Sequence, residues 1–218
     1  MAEENHRTPA AVVFDALGLD YERAFADSTA RRASLDWLLE RLTPGSRVLD
    51  VGSGTGRPTA QTLAGAGHRV LGIDVSPVMV DLAARQVPGA EFRLADIRRA
   101  SLAEASFDAV CAYFSLLQMS RAEQAAVVAK LARAVRPGGL VALATVPLDV
   151  EDVQGVFMGQ PIRLTSFGAE AFTGLVTGAG LTVLAEQHSR FTPRLPEATP
   201  EPQLFVHARR PAQPPADR

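Results

Sequence analysis

Apolar and polar positions recur along this chain at two periods, and the switches between them mark out its elements. From Ser28 to Leu42 the apolar residues Leu35, Leu38, Leu39 and Leu42 repeat at helical spacing until Pro44-Gly45 ends the pattern. The apolar run from Arg47 to Val51 then predicts a buried strand. Pro58 suits the first turn of a helix, where its missing N–H costs nothing, and Gly65 and Gly67 close that helix. RVLGID predicts a second strand ending at Asp74, and Ser76-Pro77 opens a helix carried by Val78, Val80, Leu82 and Ala83. AEFRLAD and FDAVCAYF predict a third and a fourth strand, ending at Asp96 and near Phe114. A helix from Arg121 to Val135, a tight turn at Arg136-Pro137-Gly138-Gly139 and a fifth strand from Leu140 to Val146 follow. Beyond them, Gly168 to Gly178 reads as helix, LTVLAEQH as a sixth strand and QLFVHARR as a seventh.

Strands that alternate with helices through short connections pair in parallel with right-handed crossovers, so the fold class is α/β, a doubly wound sheet with helices on both faces. With 218 residues, 47% of them hydrophobic, the chain can bury one sizeable core. A single domain is expected over 13–210, its first part, 13–45, forming a helical lid region. The polar stretch 1–12 and the proline-rich 211–218 are expected to be flexible. A net charge of −2 gives no field to attract nucleic acid or an anionic membrane, which leaves a small molecule as the expected partner. No apolar run approaches the roughly 18 residues of a membrane span, and MAEENHRTPA has no apolar signal core, so a cytoplasmic location is expected. The single cysteine, Cys111, lies in an apolar strand and reads as a buried, inert thiol. Monomer and homodimer both remain open.

Candidate chemistry concentrates at the strand ends, since ligands of such sheets bind outside the carboxyl edge where strand order reverses. The first strand delivers VLDVGSGTGRPT, a turn rich in glycine, and three successive strands end at or beside Asp50, Asp74 and Asp96. Carboxylates around the turn argue against a bound phosphate, and the Lys of a phosphate loop is missing. A dinucleotide is the natural competitor, because Asp74 follows Gly54 by 20 residues, a spacing that suits a ribose contact. The third glycine of that pattern is replaced by Arg57, so an NAD-dependent oxidoreductase stands as a remote alternative. The acids favour a ligand with hydroxyls, amines or positive charge.

VLDVGSGTG, GIDVS, FRLADI, FDAVCAYFSL and LARAVRPGGLVAL, in this order and spacing, resemble the motifs of the class I S-adenosylmethionine-dependent methyltransferases from Ser46 to Thr145. That resemblance implies a Rossmann-like seven-stranded sheet of order 3-2-1-4-5-7-6, its seventh strand antiparallel. It implies S-adenosyl-L-methionine as cofactor, leaving as S-adenosyl-L-homocysteine. The backbone of Gly52, Ser53 and Gly54 would run along the cofactor, with Asp50 beneath it holding the methionine amine through water. Asp74 would take both ribose hydroxyls, Val75 would lie on the adenine, and Asp96 with the Ile97 N–H would read its edge. Phe114 and Ser115 would border the sulfonium. Tyr21 and Phe25 would close as a lid or simply pack their helix, and Arg57 would reach the cofactor carboxylate or start a solvated helix face.

Methyl transfer is an in-line displacement in which the cofactor carries the hard chemistry, so a general base is optional when the acceptor ionises easily. His188, at the carboxyl end of the sixth strand, is the candidate base. His68 and His207 read as structural, His6 lies in the loose N-terminus, and Asp149, Glu151 and Asp152 read as a solvated turn. No metal site is expected. Family members that methylate nucleobase amines carry Pro-Pro-Tyr or Pro-Pro-Phe after the fourth strand, where this chain reads Ala112-Tyr113-Phe114-Ser115. With Met119 and the insertion VFMGQPI, Val156 to Ile162, this favours an apolar pocket for a small organic acceptor methylated on O or N, less readily on C. A composition rich in Ala, Arg, Gly and Pro suggests a bacterial source and, by analogy, natural-product tailoring. A non-catalytic or regulatory S-adenosylmethionine-binding partner is the alternative of a different class.

Overall fold

The computed structural model of the protein describes residues 8–212. Four of the described helices start where short polar side chains satisfy the free N–H groups of a first turn. Thr8 accepts from the Ala11 N–H at 3.1 Å to open α1 (Pro9–Leu17), and α2 (Leu19–Phe25) follows across Gly18. Ser28 caps α3 (Thr29–Leu39), which leads into β1 (Arg47–Val51), α4 (Thr59–Gly65) and β2 (Arg69–Asp74). Ser76 caps α5 (Pro77–Gln86), followed by β3 (Glu91–Leu94) and β4 (Phe107–Tyr113). Ser120 and Glu123 form a reciprocal capping box on α6 (Arg121–Ala134), which runs directly into β5 (Val135–Thr145). The chain ends with β6 (Val150–Phe157), β7 (Gln160–Ser166), α7 (Ala169–Gly178), β8 (Thr182–Phe191) and β9 (Glu201–Arg209).

Seven strands form one sheet in the order β3-β2-β1-β4-β5-β9-β8, all parallel except β9. This is the expected 3-2-1-4-5-7-6 arrangement. Central strands are buried on both faces, so alternate residues feed two cores. Leu49, Val110, Val141 and Val206 meet α6 and α7 residues such as Leu131 and Phe172 on one face. Val48, Ala109, Ala142 and Phe205 meet Leu35 and Leu38 of α3 and Leu63 of α4 on the other. Cys111 belongs to this second core and is fully buried, where burial pushes its thiol well above its usual range. Among the described residues no helix is long and apolar enough to cross a membrane.

Three local departures matter for the site. The expected flexible ends lie largely outside the described residues, together with His6, but residues 9–12 of the first belong to α1. The turn expected at Arg136–Gly139 is instead part of β5, as a bulge whose register jumps between Phe107 and Ala109 of β4. A Cβ on Gly139 would come 2.7 Å from the Asp108 carbonyl, which explains glycine there. Finally, VFMGQPI is the tip of a β6–β7 hairpin closed by Met158 and Gly159, both at positive φ, the backbone a two-residue hairpin turn requires.

Candidate functional site

The turn after β1 is held to the end of β2 by its backbone. The Gly52 and Ser53 N–H groups donate to the Ile73 carbonyl at 2.8 and 3.1 Å, and the Gly54 N–H donates to Asp74 Oδ2 at 2.9 Å. Asp74 Oδ1 accepts from the Ser76 N–H at 2.9 Å, so one carboxylate ties the glycine turn to the start of α5. Gly52 has φ +68°, and a side chain there would collide with Ser115 at the end of β4. Phe114 has φ +58°, a strained value for a residue with a Cβ, and this bend turns Ser115 against Gly52. The cleft so formed is lined by Gly52, Gly54, Asp74, Val75, Ile97 and Ser115, with Phe14 and Tyr21 of the N-terminal helices closing it.

Beneath the turn, Asp50 is 2% exposed and its Oδ2 has no partner. Burial pushes its carboxyl up to about 7, the Arg31 charge pulls it down, and Asp74 pushes it up again. Arg31 is itself buried, its Nε without a partner and its guanidinium carbon 5.5 Å from the centre of the Phe114 ring. Asp74 is raised by burial, against hydrogen bonds from the Ser76, Gly54 and Val75 backbone. The Asp50 carboxylate thus lies under the turn within the fields of Arg31 and Asp74, without lining the cleft, and Asp50 Oδ2 and Arg31 Nε have hydrogen-bonding capacity unused. That donor set fits a zwitterionic, hydroxylated ligand.

A second cavity of about 370 Å³ adjoins the cleft and shares Phe14, Tyr21, Phe114, Ser115 and Gln118 with it. Its walls are mostly apolar, with Phe25, Leu117, Val146, Phe157, Ile162 and Leu164, and Thr199 and Glu201 add polar groups. Tyr21 packs on Phe14 and Phe25 at 5.3 and 4.9 Å, and Phe157, from the hairpin tip, meets Phe25 at 5.9 Å. The lid helices are anchored elsewhere too, by Ser76 Oγ donating to Asp15 at 2.6 Å and Gln86 donating to Glu22 at 2.9 Å.

The structure gathers most of the residues that the sequence singles out, but not all. Ser53 does not line the cleft: its hydroxyl is buried against Gly72, where a Cβ would lie 2.8 Å away. Arg57 turns toward Glu22, 3.9 Å away, in a side cleft with Tyr21 and Arg31. Asp96 reaches the cleft, yet its oxygens bind the Arg98 guanidinium at 2.8 to 3.1 Å; burial raises its carboxyl, and the bonds from Arg98 outweigh this and hold it low. His188 is not brought in. It lies exposed on edge strand β8, 3.4 Å from Glu186, and lines neither cavity. His207 is buried on Trp37, accepts or donates with Ser34 at 2.7 Å, and is lowered to about 4 by burial and by Arg41. Asp149 and Asp152 pair with Arg121 and Arg163 on the surface. Two residues escape the motif reading. Arg31 occupies the apolar stripe of α3 with Ser34, Leu35 and Leu38, which is its only sequence signal. Glu201 opens β9, and an antiparallel last strand brings its first residue to the ligand edge.

Fold and site together define a Rossmann-like α/β protein with a cleft lined by Asp74 and backbone amides beside a mostly apolar cavity. A methyltransferase domain profile matches residues 48–139. A demethylmenaquinone methyltransferase of Beutenbergia cavernae is 39% identical over 130 residues, covering 60% of this chain and 50% of that protein. An O-methyltransferase of Penicillium expansum is 34% identical over 117 residues, covering 50% and 42%. The chain thus spans half or less of the length of these curated relatives. The crystal structure of Burkholderia thailandensis 1,6-didemethyltoxoflavin-N1-methyltransferase, with 1,6-didemethyltoxoflavin and S-adenosylhomocysteine bound, superposes with a TM-score of 0.72 at 25% identity, covering 97% of this chain and 91% of that one. Residues 48–139 thus match a methyltransferase domain, and the chain is similar in sequence and in fold to S-adenosylmethionine-dependent methyltransferases.

Proposed function

We propose that this protein transfers a methyl group from S-adenosylmethionine to an oxygen or nitrogen atom of a small, mostly apolar organic acceptor. The observation that carries this reading is the junction of a polar cleft with an apolar cavity across Phe114 and Ser115. The small-molecule substrates in the names of its relatives support it. S-adenosylmethionine, when bound, supplies a methyl group already attached to a cationic leaving group. The chain's task is to align the acceptor and exclude water, which the ring of aromatic side chains suits.

In this reading each oxygen of Asp74 keeps lone pairs beyond its backbone bonds and accepts a ribose hydroxyl. The unpartnered oxygen of Asp50 takes the cofactor ammonium, directly or through water, and Arg31 beside it offers a cation to the carboxylate. Val75 and Ile97 flank the adenine, with Asp96 braced by Arg98 at its edge. Phe114 and Ser115 border the reacting centre, and Tyr21 covers it. Calorimetry with S-adenosylhomocysteine and with NAD tests the reading. The product is expected to bind and NAD not to, and Asp74→Ala should weaken the product by about 100-fold, since two charge-assisted hydrogen bonds are lost. Binding of NAD without the product would overturn it.

A further inference from the structure

The acceptor cavity holds one carboxylate among its described lining residues, that of Glu201, in walls that are mostly aromatic and aliphatic, with Ser115, Gln118 and Thr199 as the neutral polar side chains. We propose that Glu201 is the acceptor's polar anchor, taking the hydrogen of its reacting hydroxyl or N–H group and receiving that proton as the methyl group arrives. The assignment rests on the methyltransferase reading above and deepens it.

Topology brings Glu201 there. β9 runs against β5 and β8, so its first residue sits at the edge where the parallel strands deliver Asp74, Phe114 and Ser115. Side-chain geometry then fixes it. Gln203 Nε2 donates to Glu201 Oε1 at 2.9 Å, which orients the carboxylate and leaves Oε2 for a ligand. Arg31 of α3 is the cation whose field reaches it, and Tyr21 of α2 is the other ionisable group on the cavity wall. Burial raises the Glu201 carboxyl against the Gln203 bond and the Arg31 charge, a shift that strengthens it as a base. A partly buried carboxylate on the wall of a mostly apolar cavity is costly unless a donor meets it, and an acceptor O–H or N–H is such a donor.

The walls specify the rest of the ligand. Tyr21, Phe25 and Phe157 lie 4.9 to 6.3 Å apart and present ring faces and edges, so the class that fits is a flat aromatic compound bearing one hydroxyl or N–H group. The acceptor oxygen or nitrogen bonds the methyl carbon while the carbon–sulfur bond breaks, and its electron pair returns to sulfur, leaving a neutral thioether. The acceptor proton passes to Glu201 and from there to solvent.

Two probes separate this assignment from the reading it rests on. Protein loaded with S-adenosylhomocysteine should bind 2-naphthol at least about tenfold tighter than naphthalene, one charge-assisted hydrogen bond. Glu201→Ala should remove that preference while S-adenosylhomocysteine affinity stays within about twofold. With S-adenosylmethionine, Glu201→Gln should methylate 2-naphthol about 100-fold more slowly and lose less on the more acidic 6-cyano-2-naphthol. Glu201→Asp should recover part of the rate. Equal affinity for the two probes, a preference or rate unchanged in the variants, or no methylated naphthol from the wild type would each overturn the assignment. Failure to bind S-adenosylhomocysteine would instead overturn the methyltransferase reading.

Discussion

The two halves of the cleft are built in opposite ways. The cofactor half takes its strand-end residues, from Gly52 to Ser115, from inside the matched methyltransferase profile, relies on backbone amides and buried carboxylates, and adds only Phe14, Tyr21 and their neighbours from the N-terminal helices. The acceptor half draws on residues from Phe14 to Pro202, relies on ring packing, and takes Phe157, Ile162, Leu164 and Glu201 from beyond that profile. One half therefore depends on backbone conformations that few residues adopt, whereas the other depends on shape that many apolar residues can supply. Substitutions should be severe and local in the first half, mild and specificity-changing in the second.

The largest effect is expected at Gly52. An alanine there meets Ser115 directly and must hold φ +68°, so the turn or the end of β4 has to move. Gly52→Ala should abolish S-adenosylhomocysteine binding in calorimetry and cost more than about 3 kcal/mol of stability in denaturant unfolding, combining backbone strain with overpacking. Gly54→Ala is the control, for it shares a positive φ of 52° but has open space around its Cβ, and about 1 kcal/mol is expected. Wild-type affinity in Gly52→Ala would erase the contrast between the halves.

The same contrast explains what could be read from the sequence. Glycines at 52, 54 and 56 and acids at 50 and 74 announce themselves because the backbone geometry and the desolvated charge each demand a particular residue type. The parallel strands were equally legible, as continuous apolar runs ending in turn residues. The hairpin was not, since its alternation is weak and Val156, 78% exposed, belongs to no core. Its Met158-Gly159 pair was the available signal. His188 drew attention by residue type and by its place at a strand end, although the expected order 3-2-1-4-5-7-6 already puts its strand at the sheet edge, away from the cleft. The partner of Arg57 was hidden, since Glu22 meets it through a contact that spacing does not reveal, whereas Arg98, two residues from Asp96, is a local partner visible in the sequence.

A pH experiment sharpens the electrostatic side of the comparison. Asp50 rises from an ordinary 3.8 to about 7 in the folded protein, so the native state binds a proton that the unfolded chain releases. The stability this gives is present below about pH 4 and is lost as pH rises to about 7. Asp50→Asn carries no such proton, and relative to the wild type it should gain a few kcal/mol across that window. Asp74 adds a slope of the same sign, while Arg31 opposes the shift and the Cys111 thiol nearby stays neutral, so the difference between the two proteins is the quantity to follow. S-adenosylhomocysteine, by giving the Asp50 carboxylate an ammonium partner, should flatten the wild-type slope. Identical melting curves at pH 5 and pH 7.5 for wild type and variant would place Asp50 in a far wetter setting than its 2% exposure implies.

The smallest effect is expected in the acceptor half, at Phe157. Its ring meets Tyr21 at 6.3 Å and Phe25 at 5.9 Å from the tip of a two-stranded hairpin, and so closes the cavity without supporting the sheet. Phe157→Ala removes ring contacts worth about 1 kcal/mol at a half-buried position, so unfolding should shift only slightly. Affinity for S-adenosylhomocysteine should stay within about twofold, because no wall of the polar cleft changes. Binding of 2-naphthol to the product-loaded protein should weaken about fivefold, which is roughly 1 kcal/mol of lost contact. If cofactor product and naphthol weakened together, the hairpin would be acting on both halves at once, with Tyr21, which lines both cavities, as the residue that couples them.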